Sequence, residues 1–121
     1  MNTQQIANRL VQLCRENKNI DAINEFYSDD IISKEPKGSH RELIKGKAAV
    51  IAKNEEWINS LKEIHSEEIS EPLIAGNFFS ISMYFDATYK EHGRMAFTEL
   101  CVYKVKEGKI VAEEFFYSLP G

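Results

Sequence analysis

Tyr27-Ser-Asp-Asp-Ile-Ile-Ser-Lys-Glu-Pro-Lys-Gly-Ser39 lies between two stretches of helical period and decides how the chain is built. Ile31 and Ile32 are β-branched and favour a pleated strand. Pro36 forbids a continuing helix, and Gly38 supplies a flexible turn. The segment reads as a short, exposed strand running into a turn. Glu35 stands immediately before the proline, and the residue before a proline is pushed into extended geometry. That fixes the direction of its carboxylate. A carboxylate at the lip of a cup made by helices and a sheet is where a general base could sit. A solvated turn glutamate is the plainer reading of the same residue.

Upstream, Ile6, Leu10, Leu13 and Cys14 recur at i, i+4, i+7 and i+8, one apolar stripe of a helix over 3–17. Thr3 is its expected N-cap, and Asn17-Lys-Asn19 its break. A second short helix follows, with Asp21 able to cap it and Ile23, Phe26 and Tyr27 on one side. Downstream, Ser39–Gly46 reads as a polar loop. A third helix begins after Gly46, with Ala49, Val50, Lys53, Trp57 and Leu61 on one face and Ile58 beside it. Trp57 reads first as a core filler, because aromatics dominate core burial.

After His65 the period changes to two. Ser66–Ala75 is a strand interrupted by Pro72, which suits an edge or a bulge. In Phe78–Tyr89, Phe79, Ile81, Met83, Phe85, Ala87 and Tyr89 form one apolar face. Ser80, Ser82, Tyr84, Asp86 and Thr88 form the other. After a loop at Lys90–Arg94, Met95–Lys106 alternates again, with Phe97, Glu99, Cys101 and Tyr103 sharing a face. Lys106-Glu-Gly-Lys109 is a hairpin turn with Gly108 at a positive-φ position. Lys109–Tyr117 is the last strand, and Ser118–Gly121 a terminus. Three helices followed by a run of antiparallel strands define the α+β class, with helices covering one face of a curved sheet. Such a sheet can leave an apolar pit under the helices, a natural ligand site.

The 121 residues fit one domain spanning 1–121, and 43% hydrophobic with 28% charged residues is a globular composition. A net charge of -4 with scattered basic residues argues against a nucleic-acid partner. The N-terminus lacks the pattern of a signal peptide, and no apolar run approaches the ~20 residues that span a bilayer. The expectation is a cytoplasmic protein with no membrane partner. Cys14 and Cys101 sit in apolar patterns and read as a free, reduced pair, with a disulfide left open. His40, His65 and His92 have no metal-ligand spacing and read as surface histidines, so no metal is expected. No phosphate-binding or dinucleotide fingerprint appears, and no cofactor is expected.

Glu99 is the second unusual residue. A carboxylate in mid-strand on the face of Phe97, Cys101 and Tyr103 is costly to ionise, so its pKa should rise and it could remain a protonated donor. Alternatively that face meets solvent or a partner subunit. Glu113, Phe115 and Tyr117 repeat the pattern on the last strand, while Glu114 and Phe116 occupy its other face. Two faces that both carry Phe and Glu point to one of them meeting another protomer.

Tyr27-Ser-Asp-Asp, Glu35-Pro-Lys-Gly-Ser39, Gly46-Lys-Ala-Ala-Val50 and Gly108-Lys-Ile-Val-Ala-Glu-Glu-Phe-Phe-Tyr117 together resemble the ketosteroid-isomerase and SnoaL-like branch of the nuclear-transport-factor-2-like superfamily, over essentially the whole chain. The resemblance implies a cone-shaped α+β barrel, commonly a homodimer through the outer face of the sheet. It puts Glu35 where these isomerases carry an aspartate base and Glu99 where they carry a protonated oxyanion-hole aspartate. Each glutamate carries its carboxyl roughly 1.5 Å further out than aspartate. The first-helix tyrosine that completes such an oxyanion hole has no counterpart; Val11 lies about there. Two functions follow. One is an isomerase or cyclase in which Glu35 removes a proton α to a carbonyl and neutral Glu99 stabilises the enolate. Trp57, Phe79, Met83, Phe85, Phe97, Tyr103, Glu113, Phe115 and Tyr117 would line a pocket for a small apolar, cyclic or polyketide-like molecule. The other is a non-catalytic binding or interaction module of the same fold.

Overall fold

Asn2, rather than Thr3, opens the first helix, α1 (Thr3–Arg15). Its side chain accepts from the Gln5 N–H while the Gln5 side chain accepts from the Asn2 N–H. This capping box satisfies two donors that the first turn leaves orphaned. A computed structural model describes residues 1–118, so residues 119–121 of the expected terminus lie outside the described residues. The stripe read from the sequence is the buried one: Ile6, Leu10, Leu13 and Cys14, joined by Ala7 and Val11. Helix α2 (Asn19–Phe26) has no side-chain cap; Asp21 lies in its first turn, where a carboxylate favours the helix dipole.

The chain passes directly into β1 (Tyr27–Lys34) and returns through β2 (Leu43–Lys45), a short strand inside the expected polar loop. Helix α3 (Lys47–Ser60) follows. Strands therefore intervene before the third helix. Gly46 begins α3 at φ +98°, a left-handed backbone that glycine adopts without strain, and its N–H donates to the Ile31 carbonyl at 2.8 Å. The rest is strand: β3 (Leu61–Ile69), β4 (Leu73–Ala75), β5 (Phe78–Tyr89), β6 (Gly93–Lys106) and β7 (Lys109–Phe116).

The seven strands form one curved, unclosed sheet in the order β2-β1-β7-β6-β5-β3, with β4 pairing β5. Every pairing is antiparallel except β1 with β7, which is parallel. Glu107 (φ 51°) and Gly108 (φ 75°) make the two-residue turn between β6 and β7. β1 is not exposed as expected: flanked by β2 and β7, it buries Ile31 and Ser33 completely.

Helix α3 is five residues shorter than its pattern suggested. Leu61–His65 belongs to β3, where Leu61 pairs Tyr89 and Ile64 pairs Ala87. No glycine or proline marks the change. Pairing along β5 overrides a helical spacing that would have carried Leu61 under Trp57. The concave face carries the core, with Phe79, Ile81, Met83, Phe85, Ala87 and Tyr89 all buried as the alternation predicts. No described helix is long and apolar enough to cross a membrane.

Candidate functional site

Three strands bring the acids together. Ser33 of β1 pairs Glu113 of β7, which pairs Tyr103 of β6, which pairs Phe79 of β5. One row along, Phe115 pairs Cys101, and Glu35 reaches that level just past the end of β1. One row further, Glu99 pairs Met83, with Tyr117 alongside past the end of β7. β7 separates Glu35 from Glu99 and Glu99 lies one row further along, so their backbones stand about 12 Å apart, two strand spacings across and two residues along. Period-two alternation puts all these side chains on the concave face. Helix α3 lies over them and lowers Lys53 into their midst.

The deepest acid is Glu113, 3% exposed. Its Oε1 accepts from the Tyr27 hydroxyl, and its Oε2 accepts from the Ser33 hydroxyl at 2.7 Å. The Lys53 ammonium donates to Ser33 Oγ at 3.0 Å and stands 3.9 Å from both Glu113 Oε2 and Glu35 Oε1. It also sits 4.7 Å from the centre of the Phe115 ring, a cation–π distance. Tyr27, Glu113, Ser33, Lys53 and Glu35 thus form one continuous polar thread from core to mouth. The side chains of Lys53 and Glu35 are 15% and 17% exposed, so the mouth is where solvent or a ligand can reach.

Burial pushes the Glu113 carboxyl above the ordinary glutamate value, against the pull of Lys53 and its two hydroxyl donors. Burial likewise raises Glu35; Lys53 opposes the rise and the charge of Glu113 adds to it. Glu35 Oε2 is buried with no hydrogen-bond partner. Glu99 is pushed up to about 7, first by burial and then by the charge of Glu35, against the Cys101 thiol and Lys53. That thiol donates to Glu99 Oε1 at 3.7 Å. The Tyr117 hydroxyl is also raised, by burial and by the charges of Glu35 and Glu99. Two carboxyls of unequal basicity, coupled through space, are the elements of acid–base chemistry.

The other expected pocket residues divide into two sets. Trp57 meets Phe85 edge-on at 5.2 Å, and Phe85 meets Phe97 at 5.8 Å, with Trp57 and Phe97 only half-buried. Phe115 and Tyr117 are half-buried beside Glu35 and Glu99. Phe79 and Tyr103, by contrast, stack on each other at 4.7 Å and are 1% and 3% exposed. Together with buried Met83 they fill the interior beneath the acids.

Two open clefts, about 430 Å³ beside α1 and about 700 Å³ between α3 and the β5–β6 hairpin, are lined by none of these acids. His40, His65 and His92 are exposed. No group of three or more His, Cys, Asp or Glu among the described residues is placed to hold a metal ion. Cys14 and Cys101 are free and buried, and burial raises both thiols. Lys53, Ser33 and Tyr27 were not singled out from the sequence. For Lys53 a signal existed: it is the one charge on the apolar face of α3.

The profile of the SnoaL-like domain matches residues 1–117. The chain belongs to the SnoaL-like family. A Mesorhizobium loti structure, provisionally described as a SnoaL-like polyketide cyclase with carbohydrate phosphatase as a second label, is 31% identical to this SnoaL-like chain. It superposes with a TM-score of 0.91 over 97% of this chain and 100% of its own. A cystatin-like-fold protein of unknown function from Xanthomonas campestris is 18% identical, with a TM-score of 0.81 over 98% and 92%. A nuclear-transport-factor-2-like protein of unknown function from Burkholderia pseudomallei is 14% identical, with a TM-score of 0.75 over 98% and 92%. These last two are likenesses of fold. No curated protein matches the chain significantly.

Proposed function

We propose that this SnoaL-like protein binds a small cyclic or polyketide-like ketone and moves a proton at the carbon α to its carbonyl, as an isomerase or cyclase. The carrying observation is the pair Glu35 and Glu99: one buried carboxylate oxygen without a partner, and one carboxyl held at about 7 by burial and by its neighbour's charge. Glu35 takes the α-proton on its carboxylate. The C–H electron pair becomes the C=C bond, and the carbonyl π pair moves onto oxygen. Glu99, carrying its proton, donates a hydrogen bond to that oxygen. Glu35 then returns the proton, at the same carbon or at a conjugated one. Phe115, Tyr117, Trp57 and Phe97 form an apolar rim that suits a flat ring.

The convex face supports a homodimer through the sheet. Leu100 and Phe116 are paired neighbours there, 45% and 47% exposed, and Val102 lies beside them.

A second reading, a non-catalytic binder of the same fold, draws on the position of the two open clefts away from the acids. Exchange decides between them. A panel of cyclic ketones and β-diketones, including 2-tetralone, is held in D2O with the protein and followed by proton NMR. Enzyme-dependent loss of α-protons that falls at least ~10²-fold in Glu35→Gln is expected, the scale of a general-base contribution. No protein-dependent exchange with any member of the panel refutes the enzyme reading.

A further inference from the structure

Lys53 has three N–H donors, and only one is used within hydrogen-bond distance, to Ser33. The two carboxylates at 3.9 Å attract the ammonium but lie beyond a hydrogen bond. Beside it, Glu35 Oε2 is an acceptor with no donor. Unsatisfied donor and acceptor therefore stand next to each other at the half-buried mouth. Nearly enclosed polar groups left unpaired cost stability, and where they persist they need a reason. A ligand presenting an acceptor oxygen and, on the carbon two bonds from it, an acidic hydrogen would satisfy both.

An enolisable carbonyl has this form. Its oxygen and its α-carbon are about 2.4 Å apart, from ordinary bond lengths and a trigonal angle. The ammonium stands 3.9 Å from Glu35 Oε1, so a carbonyl lying across the pair can turn its oxygen toward the ammonium and its α-hydrogen toward the carboxylate. We propose that Lys53 is a catalytic residue of this site, donating from α3 to the substrate oxygen as negative charge develops there. This rests on the function proposed above and extends it. The substrate oxygen would be held from two sides, by Lys53 and by Glu99.

The surroundings narrow the substrate class. Glu35 and Glu113 stand 3.9 Å from the Lys53 ammonium, and Glu99 feels the same charge through space. A carboxylate or phosphate ligand would meet three acids for one base. The site therefore favours a ligand that arrives neutral, a ketone or β-dicarbonyl, and becomes anionic only in the reaction. The rest of the thread aims the lysine. Ser33 accepts from Lys53 and donates to Glu113, and Tyr27 donates to the same carboxylate. Tyr27, Ser33 and Glu113 are positioning residues. They hold the ammonium 3.9 Å from Glu35 Oε1 instead of letting it swing out to water.

The test must separate two roles, because Lys53 also favours the ionised form of Glu35. Exchange of 2-tetralone α-protons in D2O is measured from pH 6 to pH 9.5 for unsubstituted Lys53, Lys53→Met and Lys53→Arg, all carrying Glu99→Gln, whose amide donates at every pH where Glu99 itself would lose its proton above about 7. If Lys53 only keeps Glu35 ionised, the methionine variant regains the rate of its Lys53 parent at high pH, where Glu35 is ionised without help. That recovery would overturn the proposal. If Lys53 touches the substrate oxygen, the loss stays at least ~10²-fold at pH 9.5, the scale of one oxyanion donor, and Lys53→Arg recovers part of it. An independent readout covers a poorly folding variant. The carbonyl ¹³C signal of labelled 2-tetralone moves downfield on binding to Glu35→Gln protein, which binds without turning over. The double variant Glu35→Gln/Lys53→Arg keeps a downfield shift, and Glu35→Gln/Lys53→Met loses most of it. An unchanged shift in the methionine double variant overturns the proposal. Absence of wild-type exchange defeats the proposed function itself, whereas Glu35-dependent exchange that survives Lys53→Met at every pH defeats only the assignment of Lys53.

Discussion

Glu99→Gln should make the protein more stable above neutral pH, the reverse of what loss of a structural salt bridge would do. Glu99 rises from the ordinary 4.5 to about 7, with burial as the main cause. A group whose folded pKa is raised holds its proton more tightly in the folded state. The folded chain then binds more protons than the unfolded chain between the two values, and stability falls as pH climbs through that window. At about 1.4 kcal/mol per pH unit, Glu99 alone costs about 3 kcal/mol well above pH 7. Roughly 2.5 kcal/mol of this appears between pH 5 and pH 8. Glutamine has the same shape and no charge to desolvate, so that part of the slope should vanish. Urea unfolding at pH 5 and pH 8 measures it: the variant should match wild type within about 1 kcal/mol at pH 5 and exceed it by about 2 kcal/mol or more at pH 8. Because Glu35 supplies the second cause, Glu35→Gln should shrink the wild-type slope without abolishing it. Equal slopes in wild type and Glu99→Gln, or a Glu99 carboxyl titrating near 4.5 by NMR, would refute the placement of this acid in an apolar wall.

Tyr27→Phe removes one of two hydroxyl donors to buried Glu113 and should destabilise by about 1.5–3 kcal/mol, the scale of a hydrogen bond to a charged group. Ser33→Ala removes the other donor and also an acceptor for Lys53, so the double variant should cost less than the sum of the singles. Strict additivity in thermal or urea unfolding would show that the three groups do not act on one carboxylate. Leu100→Arg puts a charge on the convex face opposite Phe116 and should convert a dimer at micromolar concentration into monomer by sedimentation. A wild-type chain already monomeric there would remove the dimer from the reading.

Some of this arrangement could be read locally. The alternation in Phe78–Tyr89 assigns six side chains to the core without reference to any partner, because a strand has only two faces. Pro36 holds Glu35 extended, and the same alternation makes it follow Ile31 and Ser33 onto the inner face. Glu99 announced itself as a carboxylate among Phe97, Cys101 and Tyr103. Lys53 was visible as a charge on an apolar helix face, but its use was not, since Ser33 and Glu113 lie 20 and 60 residues away. The end of α3 misled for the same kind of reason. Leu61 and Ile64 keep a spacing that either a helix or a strand can bury, and only their pairing with β5 chooses.

The amino-acid sequence by itself determined the α+β class and the inner face of β5, because periodicity acts within a few residues. The tertiary structure alone decided that β1 runs parallel to β7, and with that pairing came the thread from Tyr27 through Glu113 and Ser33 to Lys53. Residues 86 positions apart, such as Tyr27 and Glu113, leave no local trace of their contact. Their hydrogen bond exists only because burying a carboxylate demands donors, and the closing strand carries it to where the first strand can supply them.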